Sequence, residues 1–268
     1  MIAQEQKPME EILGYLEGKQ KVVVMGCGGC ATFYGTGDKK AVNEMAEQLE
    51  KEGKEVTKIV MPLGMQACET DKCSIFLQKK RTAVENCDAI MVMSCGDGVQ
   101  VVTEYMDEEM GIAKEVYPVN DPLGLVGGGP TKFKETCQSC GMCELGKTAG
   151  VCPLTACGKG LMNGPCGGVR EGDKCEIDPD KDCAWVKIYK RMEKLGKLDA
   201  FEQMNDPHEW SKMKRPRLFE LEKPMGMMDM MGAMMNLNTI SGYMSMMFAK
   251  PPAEEEEAKK EGGSEGKK

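Results

Sequence analysis

The chain has 268 residues, a formal net charge of −8, 14 cysteines, 25 methionines and one histidine. The length can bury one large core or two smaller ones, and the acidic balance argues against a nucleic-acid surface, which needs clustered positive charge. A single histidine, His208, removes most histidine-based zinc sites, and beside Pro207 it reads as a surface residue.

The first segment, MIAQEQKPMEEILGYLEG, has no basic stretch followed by an apolar run. It is therefore not a secretory signal, and a cytoplasmic location is expected. Thiols stay reduced there, which favours metal binding or redox chemistry over disulfides. A helix is expected in this segment. Lys21–Met25 (KVVVM) then forms a β-branched run ending at glycine, the pattern of a buried strand. Val42, Met45, Ala46 and Leu49 recur at helical spacing before Gly53. The strand-then-helix unit repeats at 55–61 with 74–85, and at 88–93 with 99–110, and a fourth strand is expected at 115–119. Such alternation predicts an α/β fold, a Rossmann-like parallel sheet covered by helices on both faces over residues 1–126.

Gly127-Gly128-Gly129-Pro130 reads as a linker, and a small irregular cysteine-rich, metal-binding domain is expected over 131–215. Trp185, Ile188, Tyr189, Met192 and Leu195 mark one apolar helical face, expected to pack over the metal region. Lys212, Lys214, Arg215 and Arg217 read as a solvated linker. Ten of the 25 methionines fall in the stretch beginning at Met225, so a Met-rich helical extension is expected over 216–250. Gly, Asn, Asp229 and Ser interrupt it, which argues against a membrane span. It lies on its own domain or offers a deformable surface to a partner. Residues 251–268 have the composition of a disordered tail.

Cysteine placement carries the chemistry. Cys27 and Cys30 follow the first predicted strand, Cys68 and Cys73 the second, and Cys95 the third. All lie beyond the carboxyl ends of parallel strands, where open α/β sheets build their binding crevice. Cys27, Cys30, Cys95 and either Cys68 or Cys73 are thus candidate ligands of one 4Fe–4S cluster, whereas Cys87, at the opposite sheet edge, reads as a buried structural thiol. Two other readings of the first loop are weaker. Cys27-x-x-Cys30 is the spacing of a thiol–disulfide redox pair, but in an unusual strand context. Gly26-x-Gly28-x-x-Ala31 fits a dinucleotide fingerprint, but no acidic residue ends the second strand.

Cys137-x-x-Cys140-x-x-Cys143 is the strongest local motif, because three evenly spaced thiols suit an inorganic cube and have no use in a disulfide pattern. Cys152-Pro153 follows at a longer interval than in ferredoxins, so the fourth ligand cannot be assigned by analogy. With Cys157, Cys166, Cys175 and Cys183 the set reaches eight. Eight thiolates fit two clusters, or one cluster and one zinc site of four cysteines. No catalytic triad, carboxylate pair or flavin motif is visible.

The segments CQSCGMCELGKTAGVCPLTACGKGLMNGPCGG, GDKCEIDPDKDCAWVKIYKRMEKLGKLD and HEWS resemble the methylenetetrahydrofolate reductase C-terminal family, and GCGGCAT and SCGDGVQ resemble the N-terminal part of the same small subunit. The resemblance implies that the eight cysteines from Cys137 to Cys183 bind metal. It also implies a role in one-carbon metabolism of anaerobes, the methyl branch of the Wood–Ljungdahl pathway, as an electron-transfer partner of a flavin-containing TIM-barrel reductase subunit. The Met-rich segment lies outside this pattern and leaves room for a second partner, such as a heterodisulfide-reductase-like electron donor. Two to three 4Fe–4S clusters are expected in all, with zinc as the alternative at one site.

Overall fold

The computed structural model describes residues 1–128 and 133–217. Met1–Met213 form one compact unit. The expected Met-rich helix, beyond its first two positions, and the expected tail lie outside the described residues, as do Gly129, Pro130 and Thr131.

In chain order the first part comprises β1 (Ile2–Gln6), α1 (Met9–Tyr15), β2 (Lys21–Gly26), α2 (Cys30–Phe33), α3 (Lys39–Lys51), β3 (Glu55–Val60), α4 (Thr70–Lys79), α5 (Arg81–Asn86), β4 (Ala89–Met93), α6 (Gly96–Glu104), a π-helical turn (Tyr105–Glu109), β5 (Glu115–Pro118) and β6 (Asn120–Gly128). Strands β3-β2-β4-β5 form a parallel sheet in that order. The central strands β2 and β4 are apolar throughout their buried length because helices cover both faces.

On one face, Ile12 and Leu16 of the α1 segment and Val42, Met45 and Leu49 of α3 pack on Val22, Val24, Met91 and Met93. On the other, Leu77, Val84, Val102 and Met106 pack on Val23, Met25, Ile90 and Val92. The alternation of β2 and β4 side chains between these two cores is the period of two of a strand. The α3 helix starts where the Asp38 carboxylate accepts the Ala41 N–H at 3.0 Å, and ends before Gly53, whose φ of 80° an L side chain rarely adopts. The single helix expected at 74–85 is two, α4 and α5, broken at Lys80.

A second sheet, antiparallel with order β1-β6-β7, was not predicted. Its last strand, β7 (Phe133–Glu135), pairs with Val126, Gly127 and Gly128, so half of the expected linker is strand. The sequence hides β6 because Pro122 and Gly124 interrupt it. Pro122 is accommodated opposite Gln4, where the register of β1 slips.

After β7 regular structure is sparse: α7 (Pro153–Ala156), α8 (Ala184–Lys194) and short 3-10 turns. Helix α8 buries Trp185, Ile188 and Met192 against Cys157, Cys183, Val151 and Phe201. The apolar face is narrower than its sequence spacing implies, since Tyr189 and Leu195 are exposed. Tyr189 instead meets the Phe201 ring edge-on at 5.7 Å. Among the described residues no helix is long and apolar enough to cross a membrane.

Candidate metal centres

All fourteen cysteines are free thiols. At the carboxyl edge of the parallel sheet, Cys27 leaves β2, Cys30 opens α2, Cys68 lies in the loop after β3, and Cys95 caps the start of α6. The loops are strapped together by backbone. Cys27 N–H donates to the Met93 carbonyl (3.3 Å), Gly28 N–H to Met65 (3.0 Å), and Gly64 N–H to Gly28 (2.9 Å). Glycine at 28 is obligatory, because a Cβ there would overlap the Pro62 carbonyl oxygen.

Two backbone N–H groups, of Gly29 and Ala67, each lie 3.4 Å from Cys27 Sγ. Burial raises the Cys27 thiol above its ordinary value, these donors oppose the rise, and the charges of Cys95 and Cys30 add to it. Cys68 is pushed up to about 11 by desolvation, then by the charges of Cys27 and Cys95. Cys27 thus feels the charges of Cys30 and Cys95, and Cys68 those of Cys27 and Cys95.

Cys73 behaves differently. It is fully buried in α4, its thiol donates to the Thr70 carbonyl at 3.5 Å, and burial pushes it up to about 11, with Asp71 as its charged neighbour. Of the two candidates on the second strand's loop, the structure brings Cys68 rather than Cys73 to Cys27 and Cys95. Cys87 is buried, its thiol donating to the Val84 carbonyl at 3.1 Å, as its position before β4 implied.

Beyond β7, Cys137, Cys140, Cys143 and Cys152 line a single cavity of about 190 Å³ with Met142, Leu145 and Leu154. Ser139 (φ 54°) and Gly141 (φ 82°) turn the chain through left-handed conformations between the thiols, which aims backbone N–H groups inward. One of them, Ser139 N–H, lies 3.4 Å from Cys137 Sγ.

The remaining four are tied to one another through their neighbours. Cys157 packs in the small core with Cys183, and Gly158 is close enough to Cys175 that a Cβ on it would lie 3.6 Å from the sulfur. N–H groups of Asp178 and Ile177 donate to Cys175 and hold its thiol below the ordinary value. The Cys166 thiol donates to Glu176 Oε2 at 3.3 Å and accepts Gly168 N–H at 3.4 Å. Backbone bonds from Cys175 to Lys181 and from Cys183 to Asp173 fold the segment back on itself.

Two polar residues escaped the sequence reading. His208, expected at the surface, is 6 % exposed. It is covered because the chain after α8 doubles back, with Asn205 bonded in both directions to Asn163. Glu144, next to Cys143, is buried with Lys147 Nζ at 3.2 Å. Sequence offered no periodicity for either, since both lie outside regular elements. Among the described residues no group of three or more His, Cys, Asp or Glu side chains is arranged to hold a metal ion.

No curated protein and no solved structure matches the chain. Residues 121–211, the segment that holds all eight later cysteines, match the family model described as methylene-tetrahydrofolate reductase C terminal.

Proposed function

We propose that this chain is an iron–sulfur electron-transfer subunit that passes electrons to a flavin-containing methylenetetrahydrofolate reductase catalytic subunit. The observation that carries the reading is that Cys27, Cys30, Cys68 and Cys95 all lie on loops at the carboxyl edge of one parallel sheet, though far apart in sequence. A Cys₄ ligand set is the chemistry that suits four thiols on one sheet edge. The family match over 121–211 supplies the partner class, and a reductase subunit needs a source of electrons.

In residue type and number the donor sets suit 4Fe–4S clusters. In the second group four thiols line one cavity of about 190 Å³ together with apolar side chains. Cys137, Cys140, Cys143 and Cys152 would hold one cluster, Cys27, Cys30, Cys68 and Cys95 another. Cys157, Cys166, Cys175 and Cys183 form a third ligand set for a cluster or a zinc ion. Ligation needs thiolates, so binding draws these side chains in and releases their protons.

When bound, each cluster supplies one-electron storage, and a flavin on the partner can gather two such electrons for hydride-level chemistry. The chain's own groups set the conditions for that storage. The N–H groups of Gly29 and Ala67 stabilise charge on Cys27 Sγ. Burial of Cys27 and Cys95 excludes water from one side, while the exposed Cys68 leaves the other open for a partner's approach.

Anaerobic purification with metal quantification tests the reading. We expect iron at about four per occupied Cys₄ set, a loss of about four iron atoms per chain in Cys27→Ser and in Cys68→Ser, and no loss in Cys73→Ser. A folded chain with zinc alone, or iron unchanged in Cys27→Ser, overturns it.

A further inference from the structure

His208 is the chain's one histidine. It is buried, yet neither Nδ1 nor Nε2 meets a hydrogen-bond partner among the described residues. Buried imidazole nitrogens are ordinarily satisfied, so two orphaned ones call for a partner that the described residues do not supply. The ring is not loosely placed. Trp210 meets it edge-on at 4.6 Å. On one side the chain is anchored where Asn205 bonds Asn163 and the Met162 carbonyl. On the other, Glu209 N–H lies 3.4 Å from Met142 Sδ.

That last contact sets the backbone next to His208 against Met142. Met142 stands between Cys140 and Cys143 and lines the cavity that those thiols share with Cys137 and Cys152. A buried imidazole with no partner among the described residues thus lies one residue along the chain from a contact with the lining of a four-thiol cavity. Hydrogen bonds to ligand sulfur stabilise the more negative, reduced state and raise a cluster's potential.

We propose that His208 is a positioning residue for the group bound by Cys137, Cys140, Cys143 and Cys152, donating a ring N–H to one of its sulfurs and raising its reduction potential. The proposal rests on the iron–sulfur reading above and goes beyond it by naming a non-cysteine contact.

Because the chain has one histidine, labelling with ¹⁵N-histidine marks this residue alone. The full chain, purified without oxygen and reduced, is measured by pulsed EPR with ¹⁴N- and ¹⁵N-histidine. A weak, isotope-dependent nitrogen coupling on a cluster signal is expected. In parallel, His208→Phe is expected to keep its iron but shift one cluster's potential downward, with His208→Gln, which retains an N–H, recovering part of the shift. The labelling uses the wild-type chain and stands even where the Phe variant fails to fold. An iron-loaded preparation whose spectra are blind to the label overturns the proposal alone, as does a potential unchanged in a folded Phe variant. A strong coupling typical of direct ligation overturns the donor role. A preparation without iron overturns the iron–sulfur reading and this inference with it.

Discussion

The two cysteine-bearing regions carry their thiols on scaffolds of very different depth. In the parallel-sheet region the scaffold is complete without any metal: cores of 17 and 12 buried residues flank the sheet, and the thiols sit on loops that backbone hydrogen bonds already fix. After β7 the core shrinks to four buried residues, Cys183, Trp185, Ile188 and Met192. One of these four is itself a candidate ligand. The difference teaches that the first region carries its thiols on a deeply packed sheet, whereas the second carries them on irregular loops around a small core.

Metal removal gives the sharpest contrast. Anaerobic chelation is expected to expose the segment after β7 to protease and to rapid amide exchange while β2 and β4 stay protected, read by exchange mass spectrometry. Equal loss of protection in both regions would break the comparison. Trp185→Ala comes next. It removes the largest side chain of the small core together with the indole N–H donated to the Leu161 carbonyl at 3.0 Å. The expected cost is about 3–5 kcal/mol, confined to the later region and measured by denaturant unfolding with region-resolved exchange.

The smallest effect belongs to Asp88, at the amino edge of the sheet. Its carboxylate accepts the N–H groups of Lys21 and Gln20 at 2.7 Å each, and these hold it below the ordinary carboxylate value. A lowered folded-state value means that the stabilisation is fully present above the unfolded value, about 3.9, and is lost as pH falls through the lower, folded one. Asp88→Ala is therefore expected to lower the melting temperature modestly at pH 7, and the gap from wild type to close in strong acid. A gap independent of pH would assign the loss to packing instead.

Much of the first region was legible because its physics is local. The runs KVVVM and AIMVM are apolar because both sheet faces are covered, and Asp38 and Gly53 bracket α3 with ordinary capping chemistry. The strand-loop alternation then placed Cys27, Cys30, Cys68, Cys73 and Cys95 at one edge without coordinates. The antiparallel β1-β6-β7 sheet was not legible, since Pro122 and the glycines of β6 violate strand preference and are tolerated only through a register slip set by the partner strand.

What the sequence determined by itself is the parallel sheet, the thiol inventory and its division between strand ends and a dense later segment. Those follow from periodicity and spacing, which are properties of the chain read along its length. Only the tertiary structure separated Cys68 from Cys73, grouped Cys152 with Cys137, Cys140 and Cys143, and buried His208. Each of those depends on which way a side chain turns from an irregular loop, and that direction is set by contacts between residues distant in sequence rather than by any local preference.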